Sequence, residues 1–350
     1  MRLLYDNLIY YLQKNGGIST YWYELTVRFL KEDRVFLNFY EPNQKTANIL
    51  RQQLPISKEQ IIDRANLFTL LDRFVKLPAY NKPHIFHSSY FRTPVKASNT
   101  IVVTTVHDFT HEKYYRGPRL WLHKYLKDAA IKASDCIITV SKHTKNDLLN
   151  SYPHLQESMV KVIANGASAD FQILENGDTD FKNPFFLFVG AREYYKNFDF
   201  AVNLTTVCKD FYLYIVGNPL TAKEHQLLKK KLGNRFLVFP NIDKAKLNSL
   251  YNTAFCLLYP SSNEGFGIPI LEAMQAGCPF IALHASSIPE VAGQAGVLLQ
   301  ALSIEEALCA IDIIGNRRTE IVDKGLEQAK KFSWDNCFKE TYSLYRSLAS

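Results

Sequence analysis

The sequence predicts an α/β protein made of two doubly wound parallel-sheet domains in tandem. Three observations carry that prediction. The chain has 350 residues and a hydrophobic fraction of 47%, enough for two cores rather than one. Short apolar runs rich in Val, Ile, Phe and Tyr alternate with longer segments of helical period, as β-α-β crossovers require. The alternation begins afresh near residue 184, after a polar stretch that shows neither period.

In the first half RLLYD, VFLNFY, HIFHSS, TIVVTTVHD, CIITVS and VKVIAN read as strands, with STYWYELTVRFLKED and PRLWLHKYLKDAAIKA as helices among them. The second half repeats the plan. Its strands are FFLFVGA, FYLYIVG, FLVFP, CLLYPS and PFIALH, and its helices are NFDFAVNLTTVCK, AKEHQLLKKKL, AKLNSLYNTA and IPILEAMQA. Between the halves lies ASADFQILENGDTDFKNP, which holds Gly177 and Pro184. These features predict an N-terminal domain over 1–170, a linker over 171–183, a C-terminal domain over 184–335 and a closing helix over 336–350. In that last segment Phe338, Tyr342, Tyr345 and Leu348 recur at spacings of three and four, the stripe of an amphipathic helix docked on the protein. The pattern alone does not name the surface it covers; the N-terminal domain is the expected one.

The formal charge of +7 is uneven: residues 1–170 hold 23 Lys and Arg against 15 Asp and Glu. A basic domain beside a neutral one suits anionic lipid or a polyanionic substrate, although charges scattered without runs also suit plain solubility. Nucleic acid is not an expected partner, because the aromatics alternate with aliphatics rather than with Lys and Arg. The six cysteines are widely spaced, form no CxxC pair and read as buried reduced thiols of a cytoplasmic protein. MRLLYDNLIYY lacks the apolar core and cleavage site of a signal peptide, and no apolar window reaches a membrane-spanning length.

Residues 261–277, SSNEGFGIPILEAMQAG, carry the densest chemistry. A strand leads into a Gly-Phe-Gly loop, and Pro269 suits the first turn of the helix that follows. In open α/β sheets this strand-to-helix position is where ligands bind. Gly265 and Gly267 allow close backbone approach, and N–H groups at a helix start favour anionic or hydroxyl-rich ligands. Glu264 and Glu272 flank that loop as acceptors for sugar or ribose hydroxyls. At a second strand-to-helix junction, AREYYKN places Arg192 and Lys196, two cations that suit a leaving diphosphate. Asp178-Thr179-Asp180 looks like the DxD metal motif of other transferases. It sits in a turn-rich linker rather than at a strand end, so no metal role follows from it.

GARxxYKN followed by YPSxxEGFGIPxLEAMxxGCP resembles glycosyltransferase family 4, the retaining, nucleotide-sugar-dependent enzymes of the GT-B fold. The spacing of Glu264 and Glu272 matches that family's E-x7-E motif, and SSIPEVAG, with Glu290, matches the segment that follows. The likeness is specific over roughly residues 184–297 and looser before it, where NGGISTYWYEL, TVHDFTHEKY, DCIITVSKHTKNDL and KVIANGAS resemble the family's first domain. One departure is that Ala191 stands where many members have arginine, with Arg192 one place later.

The resemblance implies two Rossmann-like domains facing each other across a cleft. It implies that Glu264 holds the transferred sugar, with the Gly265, Phe266, Gly267 and Ile268 backbone adding donors, and that Glu272 accepts from the ribose. Arg192 and Lys196, beside Gly190, would neutralise the departing diphosphate. Gly16 and Gly17 would approach donor phosphates or acceptor, and His107 would reach the donor sugar; Asp108 and His87 are weaker candidates. The implied reaction moves a hexosyl unit from a nucleotide diphosphate sugar to a glycan or lipid-linked glycan acceptor, as in surface polysaccharide or lipopolysaccharide synthesis. No nucleophilic carboxylate is obvious in the first domain except Asp108, so a front-face retaining mechanism is expected. Neither a metal nor another cofactor is expected. The implied place is cytoplasmic, with peripheral contact to the inner, anionic membrane face. Alternatives from other classes are a GT-B nucleotide-sugar epimerase and a donor-binding scaffold that needs a partner transferase.

Overall fold

The computed structural model describes residues 1–14, 16–42, 46–64, 76–78, 80, 82–95, 97–175 and 183–350. Most of the expected linker, with Asp178 and Asp180, lies outside the described residues. The chain divides into two compact units: Met1–Asn165 with Trp334–Ser350, and Gly166–Ser333.

The first unit is a parallel sheet of seven strands: β1 (Arg2–Tyr5), β2 (Phe36–Pro42), β3 (Ile61–Arg64), β4 (His84–Ser88), β5 (Thr100–Val106), β6 (Cys136–Thr139) and β7 (Val160–Val162). Their order is β3-β2-β1-β4-β5-β6-β7, with the direction of winding reversing between β1 and β4. The second unit has six parallel strands: β8 (Phe185–Val189), β9 (Tyr212–Gly217), β10 (Phe236–Pro240), β11 (Cys256–Tyr259), β12 (Phe280–Leu283) and β13 (Val297–Leu299). Its order, β10-β9-β8-β11-β12-β13, reverses between β8 and β11. Helices cover both faces of such sheets, so the central strands β1, β4, β8 and β11 are buried along nearly their whole length. In the second unit Phe186, Leu213, Ile215, Leu258 and Ile281 pack with Leu204 and Ile314 from neighbouring helices.

The closing helix runs Trp334–Ala349 and belongs to the first unit. Phe338 meets Phe29 edge-on at 4.8 Å, and Tyr345 stacks on the same ring at 5.5 Å. The Tyr345 hydroxyl lies 3.2 Å from that of Tyr5 and 2.5 Å from His87 Nδ1. Each fully buried aromatic of this kind contributes roughly 2–3 kcal/mol, and the polar tips fix the register of the helix.

The boundaries differ from the sequence reading by several residues. Residues 166–170 join the second unit, while Trp334 and Asp335 join the first. The first linker residues are themselves packed. Phe171 is buried edge-on against Tyr251, and the main-chain N–H groups of Gln172 and Leu174 donate to the side chains of Asn248 and Asn252. Two asparagines one turn apart on the helix Lys244–Thr253 thus hold an extended segment that has no period of its own. Strands β3 and β13 were not anticipated, being four and three residues long at sheet edges. The helix Ile304–Ala329 was also missed; its φ/ψ breaks at Arg317 (−128°, 26°), which interrupts the apolar period.

All six cysteines are free; Cys136, Cys256, Cys278 and Cys337 are buried, whereas Cys309 is exposed, contrary to the expectation for that residue. Among the described residues no helix is long and apolar enough to cross a membrane.

Candidate active site

The crevice at the β8/β11 reversal is formed by the loops after those two strands. Gly190 (φ 129°) follows β8, and a Cβ on Gly217 at the end of neighbouring β9 would lie 2.4 Å from the Gly190 carbonyl oxygen, so this close approach requires glycine at 217. The chain then makes a 3-10 turn over Tyr194–Lys196 and reaches Asn197 in the left-handed region (φ 50°, ψ 44°), from which the helix Phe198–Val207 starts. Asn197 Nδ2 donates to the Pro260 carbonyl and to Ser262 Oγ, both at 2.7 Å, and Ser262 N–H donates to the Tyr195 carbonyl at 2.8 Å. These bonds stitch the loop after β8 to the loop after β11. As a result Lys196 Nζ lies 2.5 Å from Glu264 Oε1, with the two side chains 14% and 12% exposed. The ammonium also lies 5.3 Å and 5.4 Å from the ring centroids of Tyr195 and Tyr259.

The Gly-Phe-Gly loop is held from a third element. Glu264 N–H donates to Ser286 Oγ at 2.8 Å, and the Ser287 hydroxyl donates to the carbonyls of Glu264 and Phe266 at 2.9 Å each. The Phe266 ring is buried edge-on against Phe332, so this residue can serve a ligand only through its backbone. Gly267 (φ 110°) caps the helix Ile268–Gln275, whose second residue is Pro269. Glu272 lies one turn in and accepts the Tyr251 hydroxyl at 3.0 Å.

Burial pushes the Glu272 carboxyl up to about 7, against the opposing Tyr251 hydrogen bond and the Lys244 charge. A folded-state pKa above the ordinary value of 4.5 means that the folded protein holds its proton longer. The associated stability is present at low pH and lost as pH rises through about 7. Glu272→Gln should therefore melt like the wild type at pH 5 and higher than it at pH 8. The difference is at most about 3 kcal/mol, and less because the residue is only half-buried. Parallel melting curves at both pH values would show that the carboxylate is not desolvated.

Arg192 is not brought to this pair. Its Nε donates to Glu224 Oε1 at 2.6 Å, Nη1 to the Asn218 carbonyl at 3.0 Å and Nη2 to the Pro219 carbonyl at 2.9 Å, and the side chain is 6% exposed. The same contact, first among its causes, draws the Glu224 carboxyl down to about 2. The sequence reading placed both cations on a diphosphate; in the structure Lys196 faces Glu264 and Arg192 braces the loop after β9. The cause is Glu224, third residue of the capping box on Thr221, which offers Arg192 a bidentate partner.

The first unit carries the other candidates. Gly16 caps the helix Gly17–Phe29, its carbonyl accepting from the hydroxyls of Ser19 and Thr20, and Gly17 is exposed at the first turn. His107 follows β5; burial holds its ring neutral, at about 4, and its buried Nε2 has no hydrogen-bond partner among the described residues. Asp108 Oδ1 accepts the Thr110 N–H at 2.8 Å; burial would raise its pKa, but the Lys127 charge and the Thr110 bonds hold it below the usual range. His87 is a core histidine, bonded at one nitrogen to Tyr345 and at the other to Thr105.

Sequence reasoning missed Asn197, Ser286, Ser287 and Tyr251. The first three lie inside the quoted motifs, and an asparagine before a helix was the available signal for a left-handed cap. It also missed Lys127, fully buried, whose Nζ donates to the Asp108 carbonyl and to Glu112. Among the described residues no group of three or more His, Cys, Asp or Glu could hold a metal.

Residues 172–327 match the family model "Glycosyl transferases group 1", and residues 15–171 match "Glycosyltransferase Family 4". O-antigen chain mannosyltransferase B of Escherichia coli is 26% identical over 290 residues, covering 76% of this chain and 75% of that protein. Sucrose-phosphate synthase from Thermosynechococcus elongatus superposes with a TM-score of 0.77 at 18% identity, over 99% of this chain and 98% of that one. Anabaena HepE in complex with UDP-glucose superposes with a TM-score of 0.74 at 16% identity, over 99% of this chain and 100% of that one. With two matching family models in tandem, two parallel-sheet domains and neighbours of the GT-B fold, the chain belongs to the family 4-type glycosyltransferases and is a glycosyltransferase of that fold.

Proposed function

We propose that the protein transfers a hexosyl unit, with retention, from a nucleotide diphosphate sugar to a glycan or lipid-linked glycan in surface polysaccharide or lipopolysaccharide assembly. The observation that carries this reading is the Lys196–Glu264 pair at the β8/β11 crevice, with the Gly267 helix start and Glu272 beside it. The ammonium is a fixed positive charge for a departing diphosphate, and Glu264 is an acceptor for sugar hydroxyls. Glu272 then accepts from the ribose. In the front-face reaction the bond from the anomeric carbon to the leaving phosphate oxygen breaks. The bond to the acceptor oxygen forms on the same face, and the acceptor proton passes to that phosphate oxygen. Arg192, held by Glu224, supports the loop rather than the phosphate. Neutral His107 is proposed to reach the donor sugar, and the exposed Gly17 backbone at the helix start, with Gly16 beside it, to approach phosphate or acceptor. Lys196 and the helix start supply the positive charge, so a metal is not part of the proposal.

The UDP-glucose bound to the Anabaena neighbour supports a nucleotide-sugar donor, and the Escherichia coli relative supports a glycan acceptor. The proposed place of action, with such an acceptor, is the cytoplasm at the inner membrane face. The test is a thermal-shift screen against nucleoside diphosphates and nucleotide sugars without added metal. One nucleotide is expected to raise the melting temperature in the wild type and not in Glu272→Ala. No shift with any nucleotide, or an equal shift in the variant, would overturn the assigned donor site.

A further inference from the structure

We propose that the outer face of the helix Pro118–Ala133 docks the protein on an anionic lipid bilayer. The inner face of this helix is spent on the core, where Leu126, Ala130 and Ile131 pack with Val106, Phe109 and Leu148. The outer face carries Trp121, 71% exposed, and Tyr125, 56% exposed, with their rings 6.0 Å apart and 15° from parallel. Single exposed aromatics are ordinary, but two adjacent at a spacing of four residues make a continuous apolar patch. Both side chains join an apolar body to a polar tip, which suits the headgroup layer of a membrane.

Charge chooses among occupants. Lys124 and Lys132 are exposed on the same helix, and Arg116 is exposed two residues before it. Asp128, the nearest acid on the helix, is half-buried and accepts from the Tyr152 hydroxyl. Lys113, just before the helix, is paired with Asp147 at 2.6 Å. A neutral glycan stacking on the rings would have no use for the three cations, whereas anionic headgroups engage both features. A cation-bearing helix of 16 residues cannot span a bilayer, so it would lie in the interfacial plane. The proposal gives the lipid-linked acceptor reading a docking surface and rests on that reading for its purpose. Its test uses neither donor nor acceptor, so the two can fail separately.

The chain has three tryptophans, and Trp22 and Trp334 are buried, so Trp121 is the fluorescence reporter. Vesicles containing phosphatidylglycerol are expected to shift its emission to the blue and, with brominated acyl chains, to quench it; pure phosphatidylcholine vesicles should do so weakly. Trp121→Ser with Tyr125→Ser should lower co-sedimentation with the anionic vesicles by about tenfold or more, and Lys124→Glu should weaken it independently. The melting temperature of each variant checks that it is folded. Unchanged emission with anionic vesicles, or equal sedimentation of folded variants, overturns the proposal. So does an emission shift driven by soluble oligosaccharide, or by rising protein concentration without vesicles.

Discussion

Lys196→Ala is expected to lower transfer by on the order of a hundredfold or more while leaving a cooperative fold. The ammonium is held in place at the crevice by Glu264 at 2.5 Å, so its loss removes a pre-organised partner rather than a mobile surface charge. A stability effect must be separated from this. The pair is mostly buried, so breaking it should cost between the roughly 1 kcal/mol of an exposed pair and the roughly 3–5 kcal/mol of an enclosed one. Combining Lys196→Ala with Glu264→Ala removes both charges and should recover much of that stability without recovering transfer. Glu264→Gln keeps an acceptor oxygen and removes the charge, and should fall between. Melting temperature and kcat measured on the four proteins decide the matter. Wild-type turnover in folded Lys196→Ala, or activity that returns with stability in the double variant, would leave the pair a purely structural one.

Asn197→Ala should damage both fold and activity. The residue sits at φ 50°, where a side chain other than that of Asn or Asp costs roughly 1–2 kcal/mol. Its amide also makes two 2.7 Å bonds across the crevice loops, each worth about 1 kcal/mol net. A total loss of about 2–4 kcal/mol follows, with transfer at least tenfold lower because Lys196 is its chain neighbour. Asn197→Gly separates the two effects, since it relieves the backbone and still lacks the bonds. It should regain part of the stability and little of the transfer. If Asn197→Gly transfers sugar at the wild-type rate, the stitching bonds do not position Lys196.

These two cases show where the sequence was legible. Asn197 stood inside a recognised motif, yet its work is to join two loops more than sixty residues apart, and no local pattern encodes such a bond. Arg192 shows the converse. Its position after a strand is right for a phosphate ligand, but Glu224 on a separate helix claims its guanidinium. The edge strands β3 and β13 were too short for a period, and pairing with β2 and β12 makes them strands.

The sequence alone determined the two-domain α/β plan, the long buried strands and the two strand-to-helix junctions that carry Lys196, Glu264 and Glu272. These follow from hydrophobic period and from glycine and proline placement, which act over a few residues. The tertiary structure alone decided which of two cations meets Glu264, that the Phe266 ring turns into the core, that Ser286 and Ser287 hold the Gly-Phe-Gly loop, and that Glu272 meets the Tyr251 hydroxyl. Each of these depends on partners brought close by sheet order, and the competition among partners for one side chain is settled only when the chain has folded.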